Sequence, residues 1–395
     1  MKILIYSIYL PDITDGVSNS TRELVASLIQ KDLDVTVCMT DLGWTEKELQ
    51  KQRSEKLLIF KAWSSSGADF APDLFVYLMK NCKNFDVVQL HGTFNFPTVF
   101  GAYAARISKT PYIVCPRGNF IPTPTIQMHT RNTFFKKLFF KLFAQKSLTK
   151  ANWVVCSSDV EWGATKEHIH TDNLAYIPNG LNTSTYLRYV DPTIIKDKLG
   201  IEPDRPIFLF LGRLSEEKAI PFLIDVWERT FQKIPEACLV IAGASNRGYE
   251  KEIAKRVVNL TYPDSVLLPG VVTGDLKLAL LQQSRCLLLP SHFESFGNVV
   301  LEALISGTPV IASIGTPWKS LEENGFGKWL PWKIKIWTDT ILDISLNEDY
   351  QGETFSERSR QWVIDNFNWS TIADRYIKLY ETIKHNKEAI HLSGL

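Results

Sequence analysis

Residues 286–302 read CLLLPSHFESFGNVVLE. The run 286–290 is a short apolar strand pattern, and 299–306 carries apolar residues at helical spacing. Between them lies a loop with one glycine, Gly297, where a backbone without a side chain lets an anion approach. The amides at Gly297, Asn298 and Val299 open the helix and point toward such an anion. Glu294 lies in the loop and Glu302 lies one to two turns into the helix. Both are of the type that accepts hydrogen bonds from sugar hydroxyls. Their spacing alone carries no weight, because about one such pair arises by chance at this glutamate content.

The same strand–loop–helix unit recurs along the chain. Strand patterns fall at 2–8, 34–40, 57–61, 86–91, 112–115, 152–156 and 174–177, and again at 206–212, 237–243, 265–270 and 309–313. Helical spacing separates many of them, for example at 20–30, 74–82, 220–232, 250–260 and 276–283. Near-continuous apolar strands alternating with helices predict parallel sheets covered on both faces. Turn residues bracket 179–206, from Asn179-Gly180 to Pro203-Asp204-Arg205-Pro206. Two doubly wound α/β domains are therefore expected, 1–190 and 191–369. An amphipathic helix is expected over 368–389, and the tail from 370 to 395 either covers its own domain or returns to the first. In such sheets ligands bind beyond the carboxyl ends of the strands, so the strand-end loops of two facing domains are where chemistry is expected.

Composition narrows the classes. The chain has 395 residues, 45% hydrophobic and 22% charged, which excludes a disordered or collagen-like protein. Lys and Arg total 44 against 43 Asp and Glu, which gives no global charge for nucleic acid. No apolar run reaches the roughly 18 residues of a membrane span. Pro11, Asp12 and Asp15 interrupt the first apolar run, so the start reads as a strand and not as a secretory signal. Six cysteines without C-x-x-C spacing predict buried reduced thiols in a cytoplasmic protein, with no zinc site.

A second cluster, FLGRLSEEK at 210–218, follows the first strand of the second domain. Arg213 offers a planar fork and Lys218 a point charge at a helix start, where cations oppose the helix dipole. A bound diphosphate resolves that conflict, and neighbouring Glu216 and Glu217 are the ordinary alternative partners. The first domain offers Gly16 after the first strand, His91 at the end of 86–91, and Arg117 after 112–115. Gly16 stands without G-x-G-x-x-G, which excludes a nicotinamide fingerprint. Arg117 suits an anionic acceptor or a neighbouring carboxylate equally.

Gly212-Arg213-Leu214-x-x-Glu217-Lys218, Pro290-Ser291-x-x-Glu294-Ser295-Phe296-Gly297 and Glu302-Ala303 together resemble the retaining GT-B glycosyltransferases of family 4. Asn179-Gly180 and Gly16 fit the same pattern. Pro116-Arg117-Gly118 and Gly315-Thr316-Pro317-Trp318 resemble members that build bacterial surface polysaccharides such as capsule and lipopolysaccharide. The resemblance implies two Rossmann-like domains and transfer of a hexose-type sugar from a nucleotide-diphosphate sugar to a glycan or lipid-diphosphate-linked acceptor. It implies that Arg213 and Lys218 bind the donor diphosphate, Glu294 the sugar hydroxyls and Glu302 the ribose. The amides of Phe296, Gly297, Asn298 and Val299 would hold phosphate, and Ser295 belongs to the same donor-binding loop. His91 would contact the sugar, and Gly16 would let the first loop approach the donor. The loop at 315–318 departs from the family's paired glycines and acid, and Ala219 stands where glycine is commoner, a change expected to be without consequence.

Bond breaking at the anomeric carbon puts charge on the bridging oxygen, which cations and helix amides stabilise selectively. The one D-x-D, at 32–34, sits at a helix-to-strand turn away from the strand carboxyl ends. No cofactor and no metal are expected. A retaining glycosidase-type pair needs two carboxyls about 5–5.5 Å apart. With Glu302 assigned to the nucleotide, Glu294 lacks that partner, which weighs against double displacement as the alternative; the family resemblance implies retention on one face, with the leaving phosphate taking the acceptor's proton. An epimerase of the same architecture and a non-catalytic donor-fold subunit are the alternatives, and the intact motif set weighs against both.

One feature is independent of any family. No Asp or Glu occurs from 87 to 158, while nine Lys and Arg do. With a total of +1, the rest of the chain is correspondingly acidic. The segment FFKKLFFKLF at 134–143 places Lys136, Lys137 and Lys141 on one half of a helical wheel with Phe140 among them. It reads as a core helix with a solvated basic face, or as attachment to an anionic membrane surface with Phe140 entering the interface. Peripheral placement on the cytoplasmic face would follow from the second reading.

Overall fold

A computed structural model describes residues 1–7, 16–52, 56–63, 69–121, 137–245, 248–350 and 352–384. The chain forms two compact units and passes between them after Gly180 and again after Asn368. Residues 181–190 therefore belong with the second unit, and the chain from Trp369 belongs with the first.

The first unit is built on seven parallel strands: β1 (Lys2–Tyr6), β2 (Asp34–Thr40), β3 (Leu57–Phe60), β4 (Val87–His91), β5 (Tyr112–Cys115), β6 (Trp153–Cys156) and β7 (Leu174–Tyr176). Their order is β3-β2-β1-β4-β5-β6-β7. The second unit has six parallel strands: β8 (Ile207–Leu211), β9 (Cys238–Ala242), β10 (Val266–Gly270), β11 (Ser284–Leu289), β12 (Val310–Ser313) and β13 (Gly327–Leu330), in the order β10-β9-β8-β11-β12-β13. Each sheet reverses its winding once, between β1 and β4 and between β8 and β11. Those switch points are where strand-end loops splay apart and leave room for a ligand.

The near-continuous apolar runs are buried as their composition requires. Every residue of β4, β8 and β9 is buried. Helix Ile220–Phe231 turns Leu223, Ile224 and Trp227 inward. Trp227 meets Phe208 at 5.4 Å and donates its indole N–H to Ser265 at 3.0 Å, so burial and polar satisfaction coincide. Helix Trp369–Lys384 buries Trp369, Ile372, Tyr376, Leu379, Tyr380 and Ile383 in the core of the first unit, beside helix Gly16–Gln30. All six cysteines are buried and free.

Strand β13 and the helices Ile334–Leu346 and Glu353–Phe367 were not evident from apolar patterning. The basic segment needs a second correction. Residues 122–136, which include Lys136, lie outside the described residues. Beyond them the helix contains a π-helical turn, Phe140–Ala144, and its wider winding rotates the faces away from a regular wheel. Phe140 consequently packs inward, 5.7 Å from Phe120 and 6.2 Å from Phe94. Leu138, Leu142 and Phe143 are the exposed apolar residues, alongside exposed Lys137 and Lys141.

Candidate functional site

The site of the second unit is assembled from the loops that follow β8 and β11. After β8 the chain stays beside β9: Gly212 N–H donates to Ala242 O at 3.1 Å and Leu214 N–H to Ala244 O at 2.7 Å. A Cβ on Gly243 would lie 1.8 Å from Gly212 O, so glycine is required for these loops to approach. The turn Glu216–Lys218 then leads into helix Ile220–Phe231 through Ala219, whose φ is +51°. That conformation favours glycine and costs an alanine about 1 kcal/mol. The substitution noted at Ala219 therefore carries strain.

Two contacts lock the loops together. His292 N–H donates to Glu217 O at 2.7 Å. Lys218 Nζ lies 2.5 Å from Glu294 Oε1, with the two side chains 13% and 11% exposed. Ser291 Oγ donates to the same Oε1 at 2.8 Å. One oxygen of Glu294 is thus committed to its own loop and to Lys218. Arg213 is half exposed and stands 3.6 Å from Glu217, a distance at which a surface pair contributes little. Its guanidinium is correspondingly available to an anion.

Loop 315–318, where the sequence departs from the family pattern, supports this site from beneath. A Cβ on Gly315 would lie 2.1 Å from His292 O. Trp318 Nε1 donates to Phe296 O at 2.5 Å, Ser313 Oγ donates to Ser291 O, and Glu294 N–H donates to Gly315 O at 3.1 Å. Phe296 is buried with its ring 5.2 Å from Trp318, so it anchors the loop through its side chain. Gly297 has φ +84° and caps helix Asn298–Ile305. Ser295, Gly297, Asn298 and Val299 are all partly exposed at that amino end.

Glu302, on the second turn of this helix, has partners that sequence reading missed. Tyr186 Oη donates to Oε1 at 2.8 Å and Lys277 Nζ pairs with Oε2 at 2.7 Å. Lys277 also lies 5.9 Å from the centre of the Tyr186 ring. These residues are 116 and 25 positions away in sequence, and no local pattern marks them.

In the first unit Gly16 opens helix Gly16–Gln30 and is exposed, while the rest of the first loop falls outside the described residues. His91 differs from its expected placement. Its side chain is buried at 1% exposure. Nδ1 meets Thr21 Oγ1 at 3.1 Å and the Arg117 guanidinium at 3.3 Å, and Nε2 meets the Gln89 amide at 2.6 Å. Burial, then the Arg117 charge, hold its pKa well below the ordinary 6.5. The imidazole is neutral and serves as a seat under Arg117. Arg117 itself is partly exposed, has φ +58° and donates to Asn179 Oδ1 at 2.9 Å. A left-handed non-glycine residue held this way is the kind of local strain that collects at functional sites. Next to it, Gly118 N–H donates to the buried carboxylate of Glu161, which also accepts from Ser157 N–H at 2.7 Å and Ser157 Oγ at 2.9 Å.

Two parallel, doubly wound sheets, with a cation, a buried ion pair and a glycine-capped helix at the switch point of the second, define the GT-B class of fold. The family Glycosyl transferases group 1 matches residues 191–333, and Glycosyltransferase Family 4 matches residues 14–185. The two models together span most of the chain and, with the fold, support a GT-B glycosyltransferase of the group 1 type. It is 27% identical over 215 residues to an uncharacterized glycosyltransferase of Methanocaldococcus jannaschii, a match spanning 53% of this chain and 54% of that protein. It is 24% identical over 300 residues to the GDP-mannose:cellobiosyl-diphosphopolyprenol alpha-mannosyltransferase of Xanthomonas oryzae, covering 75% of this chain and 74% of that one. Its fold is similar to that of HepE from Anabaena, solved with UDP and glucose, at a TM-score of 0.76 and 18% identity, over 97% of this chain and 100% of the other.

Proposed function

We propose that this protein transfers a hexose-type sugar from a nucleotide-diphosphate sugar to a hydroxyl of a lipid-diphosphate-linked glycan, in surface-polysaccharide synthesis. The observation that carries the proposal is the grouping of Arg213, Lys218 and Glu294 at the carboxyl ends of β8 and β11, beside the amino end of helix Asn298–Ile305. In this reading Arg213 and Lys218 bind the diphosphate and stabilise the charge that grows on the leaving oxygen. The helix amino end adds a favourable dipole. Glu294 keeps its second oxygen for sugar hydroxyls, and Glu302 accepts from the ribose beside Tyr186 and Lys277.

The reading takes the reaction to proceed with retention on one face. Both oxygens of Glu302 are engaged, by Tyr186 and Lys277, so Glu294 lacks the second carboxylate that double displacement would use. The leaving phosphate would take the acceptor proton. With two cations on the diphosphate, no metal is needed. Arg117 would meet the anionic part of the acceptor. The polyprenol-linked substrate in the name of the Xanthomonas relative supports that acceptor class. Among the described residues no helix is long and apolar enough to cross a membrane. Contact with an anionic membrane surface on its cytoplasmic face would run through Lys137, Lys141, Leu138 and Leu142.

The test is a thermal-shift screen of uridine and guanosine diphosphate sugars, followed by product analysis on a lipid-diphosphate sugar with and without EDTA. The proposal expects one donor to shift the melting point and an elongated product of retained anomeric configuration, formed equally with EDTA. No transfer from any donor that binds would contradict it.

A further inference from the structure

The first sheet has a second feature at its other edge. The amino ends of β4, β5 and β6 open on a hollow of about 600 Å³. Strand β4 separates it from His91 by roughly 13 Å of extended chain. Five basic side chains line it, Lys83, Arg106, Lys109, Lys150 and Lys384, against one carboxylate, Asp86. They come from four segments of sequence: the turn Cys82–Asn84, helix Phe96–Ser108 with its cap, the end of helix Gln145–Thr149, and helix Trp369–Lys384. Three of the five belong to the acid-free stretch, and the fold brings Lys83 and Lys384 to join them.

Asp86 does not neutralise the group. Its Oδ1 pairs with Lys384 at 2.9 Å and its Oδ2 accepts from the Lys2 backbone N–H at 2.8 Å. Among the described residues no carboxylate pairs with Lys83, Arg106, Lys109 or Lys150. Helix carboxyl ends account for part of this charge, because cations there complement the helix dipole. Three helices end at the hollow, each worth about half a negative charge, which still leaves an excess of about two and a half positive charges. Lys109 adds a separate indication. It caps helix Phe96–Ser108 at φ +57°, where glycine is the low-cost residue. A long basic side chain stands there at a backbone cost. On the same helix Ile107 is 61% exposed and Tyr103 44% exposed, but neither lines the hollow.

We propose that this hollow binds a phosphate-bearing ligand, separately from the donor site. A free polyphosphate and the headgroup of an anionic phospholipid share the chemistry that recognises it. The inference does not depend on the glycosyl-transfer reading.

The probe is sodium tripolyphosphate, titrated calorimetrically at low salt into the wild type, Lys109→Gln/Lys150→Gln and Arg213→Ala. The wild type should show a class of sites that Arg213→Ala retains and that Lys109→Gln/Lys150→Gln binds at least tenfold more weakly. Melting curves establish that the variants are folded, and Lys83→Gln serves in place of the double variant if it is not. Displacement from this class by phosphatidylglycerol vesicles, but not by phosphatidylcholine vesicles, assigns a lipid headgroup. Binding without displacement assigns a free phosphate ligand. Identical isotherms for the wild type and the hollow variants, or no saturable binding, would overturn the proposal.

Discussion

Lys218 Nζ and Glu294 Oε1 lie 2.5 Å apart, although 76 residues separate them and they belong to loops after different strands. The contact joins the two halves of the second unit's switch point with little water around it. Removing either partner leaves the other charge nearly buried, which is costly, whereas removing both is less so. A double-mutant cycle with Lys218→Met and Glu294→Gln should give a coupling energy of about 1–3 kcal/mol in urea unfolding. Additive effects would show that the pair does not hold the loops.

Arg213 should behave differently. It is half exposed with only a long contact to Glu217, so Arg213→Ala should change stability by less than about 0.5 kcal/mol. Steady-state rates should nevertheless fall about 100-fold or more in kcat/KM, as loss of a transition-state charge contact does. A stable variant with wild-type turnover would remove Arg213 from the chemistry.

Gly315→Ala tests the support beneath the loop. Its Cβ would meet His292 O at 2.1 Å and Ser291 O at 2.7 Å, backbone atoms that cannot swing aside. Loop 291–294 must shift, so a loss of about 2–3 kcal/mol is expected, together with weaker donor binding. Thermal melting and a donor titration on the same sample measure both. Unchanged affinity would show that loop 291–294 does not position the donor contacts.

His91 predicts a pH dependence. Its pKa in the folded protein is well below 6.5, through burial first and the Arg117 charge second. Above pH 6.5 the ring is neutral whether the chain is folded or unfolded, and it contributes no slope. As pH falls below 6.5 the unfolded chain takes a proton that the folded chain refuses, so stability is lost at up to about 1.4 kcal/mol per pH unit. Urea unfolding between pH 8 and pH 5 should show a shallower loss for His91→Gln than for the wild type. Parallel curves would contradict the buried, neutral assignment.

Much of the fold was legible because buried parallel strands are written as short apolar runs. Twelve of the thirteen strands lie where such runs occur, with ends displaced by a residue or two. Strand β13 reads Gly-Lys-Trp-Leu, too polar to register as an apolar run. Its identity comes from pairing with β12, a property of the sheet and not of the segment. The loops bearing Arg213, Lys218, Glu294 and Gly297 were legible because glycine and charge at a strand end are unusual. Their partnerships were not. That Lys218 meets Glu294, that Lys277 meets Glu302, and that Tyr380 reaches Gln89 across 291 residues are all consequences of topology. The placement of His91 was misjudged for the same reason: Thr21, Gln89 and Arg117 close around it only once β1, β4 and β5 are side by side. Phe140 was misjudged because a π-helical turn has no simple signature in spacing.

The most direct test of the account is the affinity of the purified protein for a nucleoside diphosphate, without sugar or acceptor. Isothermal titration of the wild type and Lys218→Met with UDP and GDP isolates the diphosphate contact. The account predicts saturable binding of at least one of them at one site per chain, weakened tenfold or more in Lys218→Met, since a charge-assisted hydrogen bond contributes about 1.5–3 kcal/mol. Equal affinity of the folded variant and the wild type would contradict it.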